Sequence, residues 1–379
     1  MGTTSVMVIA GEASGDGHGA ALCAAIRRLS PGTRVFGMGG ARMRAEGAEL
    51  LADVSRRATV GGTEAVTGVP TLYRVFRRLR RTLTEERPDV LVLIDFPEFN
   101  LRLARTARRE AIPVVYFVPP QIWAWRRGRI RTMRRLVSLV LAAFPFEVPL
   151  YRDAGVAVEF VGHPVLDTLD AAPSRAAARR TLDLTDDALV IGLLPGSRHG
   201  EVARMLPLMR ETAARLSARW PAARFVVAQA PTVDDDIVKI GLAGAENIRV
   251  IRDATHAVLR ASDLVVITSG TATLEAGLLG TPMIVCYKLS RTSELLGRLT
   301  LRVPWISLVN IILGRGVVPE LFERRHVTVD RVAAEAATLI ESAETRATQT
   351  SAFVELRAML GRPGVGARAA SLILAGGSR

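Results

Sequence analysis

The sequence predicts two α/β domains, each built on a parallel sheet covered by helices. Three observations carry that prediction: a length of 379 residues, short apolar runs separated by helical patterns, and a restart of that rhythm halfway along the chain. A chain this long exceeds one comfortable core and suits two domains of ordinary size. Hydrophobic residues make up 49% and charged residues 23% of it, so apolar surface is ample and disorder is not expected.

The first set of runs is "VMVIA" (6–10), "VLVLI" (90–94), "VVYFV" (114–118), "LVLAA" (139–143) and "VEFVG" (158–162). Each is apolar on both faces, as a strand covered on two sides must be. The amphipathic, Arg- and Ala-rich stretches between them read as helices. After "GHPVLDTLDAAPSRAAARR" the rhythm restarts with "LVIGLL" (189–194), "FVVAQ" (225–229), "IRVI" (248–251), "LVVIT" (264–268) and "MIVCY" (283–287). A second doubly wound sheet is expected, with a linker near 165–180 and two Rossmann-like domains facing a cleft. Segments near 331–342, 346–360 and 364–375 read as helices. The expected division is 1–170, 171–345, and C-terminal helices over 346–379 that pack back on the first domain.

A net charge of +13 suits a partner that supplies phosphates: nucleic acid, anionic lipid or a phosphorylated substrate. Arginine carries nearly all of it, since Lys239 and Lys288 are the only lysines. Cys23 and Cys286 sit far apart in apolar runs and read as buried, reduced thiols. The start "MGTTSVMVIAGEASGD" lacks the basic segment of a secretory signal, and nowhere do about twenty apolar residues run together to span a bilayer. A cytoplasmic protein, or one lying on a membrane surface, is expected.

In a parallel sheet the loops at the strand C-terminal ends converge on the ligand crevice. "AGEASGD" (10–16) follows the first strand. Its Glu12 and Asp16 would repel a phosphate, so a sugar hydroxyl is the better ligand. Asp95 directly follows "LVLI"; burial there would raise its pKa and make it a stronger base toward an alcohol, although an Asp at such a turn is commonly a helix cap. "LLPGSR" places Gly196, Ser197 and Arg198 at a helix N-terminus, where N–H groups and a guanidinium can hold a diphosphate. "LVVITSGTATLEAG" adds a Ser269-Gly270-Thr271 turn and, one helical turn on, Glu275, placed to accept from ribose hydroxyls. Together these favour a nucleotide-diphosphate site.

No Walker motif occurs, and "GMGGAR" lacks dinucleotide spacing. The five histidines never pair at metal-ligand spacing, so no metal and no cofactor are expected. His163 in "VGHPV" reads either as a ligand contact or as a histidine satisfied by the backbone. Basic bursts at "YRVFRRLRR" (73–81), Arg102 to Arg109 and "WAWRRGRIRTMRR" (123–135) mix arginine with aromatics. Arg74, Arg77, Arg78, Trp123, Trp125, Arg126 and Arg127 are candidate contacts for anionic lipid, against the alternative of a solvated helix face. No reading motif for nucleic acid accompanies them.

In order, "GEASGD", "IDFPEFN", "PPQIWAWR", "LAAFPFE", "VGHP", "LLPGSR", "SGTATLE" and "WISLVNIILGRGVVPEL" resemble the motifs of lipid-A-disaccharide synthases, from about residue 5 to about 360. The resemblance implies a GT-B glycosyltransferase moving 2,3-diacylglucosamine from its UDP donor to 2,3-diacylglucosamine 1-phosphate, with release of UDP. It implies Asp95 as base, Glu12 as a second essential acid, and Arg198, Glu275 and Asn310 as donor-site residues. It also implies an enzyme peripheral on the inner face of the cytoplasmic membrane, with a homodimer left open. The segment 59–76 is more apolar in that family than here, where Gly61, Gly62 and Thr63 thin it. The alternatives carried forward are a UDP-sugar epimerase of similar fold and a non-catalytic lipid- or nucleotide-binding protein.

Overall fold

The computed structural model describes residues 4–53, 68–120, 122, 128–288, 304–322 and 326–376. Its contacts divide the chain into two units, Met1–Asp170 with Leu360–Arg379, and Ala171–Met359.

The first unit is a seven-stranded parallel sheet in the order β3-β2-β1-β4-β5-β6-β7. Its strands are β1 (Ser5–Ala10), β2 (Arg34–Gly39), β3 (Glu49–Asp53), β4 (Val90–Ile94), β5 (Val114–Phe117), β6 (Leu139–Ala142) and β7 (Val158–Phe160). All five residues of β4 are buried, as a central strand sheathed on both faces requires. The chain runs from β1 outward to β3, then returns to β4 on the other side of β1. The topological switch, where loops part and a crevice opens, therefore lies between β1 and β4. Helices α1 (Ala13–Leu29), α3 (Gly68–Glu86) and α4 (Pro97–Arg109) cover the sheet. Leu79 and Leu83 of α3 join Phe99, Leu103 and Ala107 of α4 in one core.

The second unit repeats the plan with six strands in the order β10-β9-β8-β11-β12-β13. Here β8 is Val190–Leu194, β9 Arg224–Gln229, β10 Ile248–Arg252, β11 Leu264–Ile267, β12 Met283–Cys286 and β13 Glu320–Leu321. The switch falls between β8 and β11, which lead into α9 (His199–Arg219) and α12 (Thr271–Leu278). Cys23 and Cys286 are both buried and free.

The expected C-terminal division needs correction. The helix Ala343–Met359 packs within the second unit: its buried Gln349 accepts from the Met283 N–H at 2.9 Å and donates to the Met283 carbonyl at 3.3 Å. Only the helix Val365–Gly376 returns to the first unit. Asp167 accepts from the N–H groups of Gly364, Val365 and Gly366 at 2.7, 3.1 and 2.9 Å, filling the orphan donors at that helix start. Gly366 lies so close to α1 that an added Cβ would sit 2.9 Å from the Ala21 carbonyl oxygen.

Candidate active site

In the first unit Ala10 is paired with Ile94, so the chain leaves β1 and β4 side by side at the switch point. The next residues, Gly11 and Glu12 on one side and Asp95 on the other, are thereby neighbours. Asp95 is not a helix cap: Phe96 holds that position, Pro97 opens α4, and no side chain caps the helix. Asp95 and Phe96 both adopt left-handed backbone, at φ 48° and 43°. Each such residue without special chemistry costs about 1–3 kcal/mol and tends to mark a functional turn. Gly11 makes room for that turn, because a Cβ there would come 2.3 Å from the Phe96 ring.

Asp95 keeps part of its surface open to solvent, but its carboxyl is closely surrounded. Burial first, and the Glu12 carboxylate second, push its pKa up to about 7, against a lowering hydrogen bond from Ser14. Such a group is half-ionised near neutrality, where a general base works best. Glu12 is exposed at the N-cap of α1, with no capping hydrogen bond from its side chain. Asp16 plays a different part from the one expected of it. Its carboxylate accepts from Gly40, Arg42 and Met43 N–H groups at 2.6, 3.1 and 3.1 Å, which anchors the short helix Ala41–Ala45.

His163 is buried, and its Nδ1 accepts the Val165 N–H at 3.2 Å. Its ring lies 5.1 Å from that of Phe144 and 6.0 Å from that of His18. Burial, with His18 alongside, depresses its pKa to about 3, so the ring is neutral. The backbone-satisfied alternative describes this histidine.

In the second unit Leu194 pairs with Ile267, so "PGSR" and "TSGT" leave adjacent strands at the second switch point. A Cβ on Gly196 would lie 3.4 Å from Thr268 Oγ1 and 2.7 Å from Glu201 Oε2. At φ 112° this position takes glycine for its backbone as well. Ser197 and Arg198 are exposed just ahead of α9, with Arg198 as its N-cap residue. The Arg198 guanidinium donates to Glu201 Oε1 at 3.1 Å, and the Tyr287 hydroxyl donates to the same oxygen at 3.2 Å. Neither Glu201 nor Tyr287 was expected from sequence; Glu201 is nearly buried and aims the arginine from beneath.

Across the switch, Gly270 caps α12 and Thr271 begins it, while Glu275 lies 3.5 Å from His256 Nε2. The Ser269 hydroxyl donates to the Ile306 carbonyl at 2.6 Å. Ile306 and Ser307 N–H groups in turn bind Glu320 at 2.6 and 3.0 Å, and Glu320 also accepts from Asn310 Nδ2 at 2.7 Å. Asn310 is buried with its amide fully engaged, donating also to the Val318 carbonyl and accepting from Val317 and Val318 N–H groups. Its side chain thereby ties together the loop whose Ile306 carbonyl meets Ser269. Glu320, the hub of that network, was missed: it lies at the end of "WISLVNIILGRGVVPEL", but nothing in its local spacing assigns it a bond.

Among the lipid-contact candidates, Arg74, Arg77 and Arg78 are exposed on α3, and Tyr73 keeps 61% of its surface exposed. Phe76, expected at the same surface, turns inward to meet the Phe99 ring edge-on at 5.5 Å. Trp123, Trp125, Arg126 and Arg127 lie outside the described residues, as do Gly61, Gly62 and Thr63. No group of three His, Cys, Asp or Glu residues that would hold a metal ion occurs among the described residues.

Two doubly wound parallel sheets, one in each unit, are the fold shared by GT-B glycosyltransferases and sugar-nucleotide epimerases. The fold of calicheamicin glycosyltransferase CalG4 matches over 100% of this chain and 99% of that one, with TM-score 0.63 at 14% identity. The UDP-GlcNAc 2-epimerase of Neisseria meningitidis, solved with UDP-GlcNAc bound, matches over 98% of both chains with TM-score 0.63 at 13% identity. Sequence decides between the two activities. The family model "Lipid-A-disaccharide synthetase" matches residues 6–371. The lipid-A-disaccharide synthase of Syntrophus aciditrophicus is 43% identical over 99% of this chain and 98% of its own length. That of Myxococcus xanthus is 42% identical over 97% and 96%. This chain belongs to the lipid-A-disaccharide synthase family, and it is a glycosyltransferase.

Proposed function

We propose that the enzyme transfers 2,3-diacylglucosamine from its UDP donor to the 6-hydroxyl of 2,3-diacylglucosamine 1-phosphate, forming the β-1,6 disaccharide of lipid A. Asp95 takes the hydroxyl proton as the oxygen attacks the anomeric carbon from the face opposite UDP. The new carbon–oxygen bond forms as the bond to the diphosphate breaks, with inversion. Negative charge grows on the departing diphosphate, where Arg198 and the N–H groups of the two turns in the second unit meet it. Glu275 receives the ribose hydroxyls, and Glu12 keeps the proton affinity of Asp95 high.

The observation that carries this reading is the Asp95 carboxyl, set at a switch point with its pKa raised to about 7. Its test is turnover of labelled acylated donor and acceptor, followed by thin-layer chromatography. Arg198→Ala is expected to lower kcat by about a hundred- to a thousandfold while the fold survives, the usual cost of removing one charge-stabilising donor. Near wild-type turnover in that variant would refute the assignment. Consumption of UDP-GlcNAc without an acceptor would indicate epimerase chemistry instead.

Both proposed substrates carry acyl chains, which stay in lipid while the sugars react. The basic face of α3 fits docking on the anionic inner face of the membrane. No helix among the described residues is long and apolar enough to cross a membrane.

A further inference from the structure

We infer that Asn100 and Tyr116 are positioning residues for the transfer reaction: they grip the backbone of Asp95 in its left-handed turn and so aim its carboxyl. The inference rests on the reading of Asp95 as the base.

The geometry is specific. Tyr116 in β5 lies in register with Leu93 of β4, so its phenol reaches past the end of the neighbouring strand. There its hydroxyl donates to the Asp95 carbonyl at 2.6 Å. Asn100, in the first turn of α4, donates from Nδ2 to the same carbonyl at 2.7 Å and to the Ile94 carbonyl at 3.0 Å. Two side chains from different elements thus converge on one carbonyl oxygen. All of this grip falls on the backbone carbonyls, and none of it on the carboxyl.

Asn100 supports the point by what it leaves undone. It is fully buried, and its Oδ1 has no hydrogen-bond partner among the described residues. A buried acceptor without a partner weakens a fold, and such an exception calls for an explanation. Here the amide is oriented by its donors alone, which fits a residue placed to hold two carbonyls rather than to complete its own bonding. Burial raises the Tyr116 phenol far above its ordinary pKa and keeps it a proton donor at every working pH.

The groups that act on the carboxyl are Glu12 and Ser14 from the start of α1, while the Tyr116 phenol of β5 faces Asp95 and, beyond it, the Glu98–Arg129 pair. Tyr116→Phe and Asn100→Ala change none of the ionised ones. Released from its carbonyl anchor, the turn relaxes and the Asp95 carboxyl moves toward water. Its pKa then falls toward the ordinary carboxylate range.

The experiment is a pH profile of kcat for wild type, Tyr116→Phe, Asn100→Ala and Asp95→Asn, with donor KM and thermal melting measured in parallel. In Tyr116→Phe, which keeps the ring and loses one hydroxyl, plateau kcat is expected to fall about ten- to a hundredfold, the scale of a small misplacement of a catalytic group. Donor KM should hold, and the acid limb of the profile should move to lower pH. Loss of stability with an unmoved acid limb and unchanged kcat would overturn the inference and leave these residues as packing. If Asp95→Asn itself retains turnover, the base assignment fails instead. If only the Tyr116 and Asn100 variants are indifferent, the base stands and the positioning role falls.

Discussion

Asp95 carries a fold-stability cost, and as the base proposed above it has a catalytic use; the two are separable by pH. Burial pushes its pKa in the folded protein up to about 7, from an ordinary value of 3.8. The native state therefore binds more protons than the unfolded chain between those values, and stability falls as pH rises through that window. Below it both states are protonated; above it both are ionised and the penalty is complete. Asp95→Asn removes the charge and keeps the shape. It is expected to melt higher than wild type at about pH 8.5 and close to wild type at about pH 3, while kcat drops about a hundred- to ten-thousandfold. Melting curves at the two pH values, with turnover at the higher, check both halves. Asp95 itself was legible in sequence because a lone carboxylate follows an unbroken apolar strand. Its supports were not: nothing in "YFV" or "EFN" tells a reader that a tyrosine one strand over and an asparagine one turn on meet at one carbonyl.

At the scale of elements, sequence reading succeeds where an apolar run is unbroken and fails where glycine or charge interrupts it. β4 and β8 read directly as unbroken apolar runs, and the candidates Asp95, Gly196, Ser197 and Arg198 follow in the turns at their C-terminal ends. β2 was passed over because "RVFGMG" ends in glycines, and β3 because "ELLAD" is bounded by charged residues. The closing helices were found, and the last was rightly given to the first unit, but Ala343–Met359 was not placed in the second. Helical periodicity reports an apolar face and does not say which unit covers it. For Val365–Gly376 the covering unit is fixed by Asp167, whose carboxylate meets three N–H groups at the helix start, and by Arg368, which donates to the Val161 carbonyl at 3.0 and 2.8 Å. Asp167→Ala is expected to destabilise the first unit by about 1–2 kcal/mol, the worth of a good helix cap. Hydrogen exchange should show the gain concentrated in residues 365–376, and uniform exchange along the chain would argue against the cap.

For the whole molecule the excess positive charge is the property that composition announces and local motifs leave unexplained. Much of it lies on one unit: Arg77, Arg78 and Arg80 on α3, Arg102, Arg105 and Arg109 on α4, and Arg131, Arg134 and Arg135 on the helix Arg129–Leu136 are all exposed. Arg77, Arg78 and Arg80 have no carboxylate partner among the described residues, so their charge is not spent internally. The opposite side of α3 is apolar and buried, with Leu79 and Leu83 fully covered. This rules out the helix laying its hydrophobic face into a bilayer without unfolding the core. The membrane docking proposed for α3 is then electrostatic, with Tyr73 as its aromatic contact, and it must respond to salt. Each basic residue near an anionic surface contributes about 1 kcal/mol, so Arg77→Gln with Arg78→Gln should weaken binding to vesicles containing phosphatidylglycerol about twenty-five-fold at low ionic strength. Neutral vesicles should float without protein, and raising salt should detach wild type as the screening length shrinks below the reach of the arginines. Binding that survives both high salt and loss of the two arginines would place attachment in an apolar segment elsewhere and remove α3 from the account.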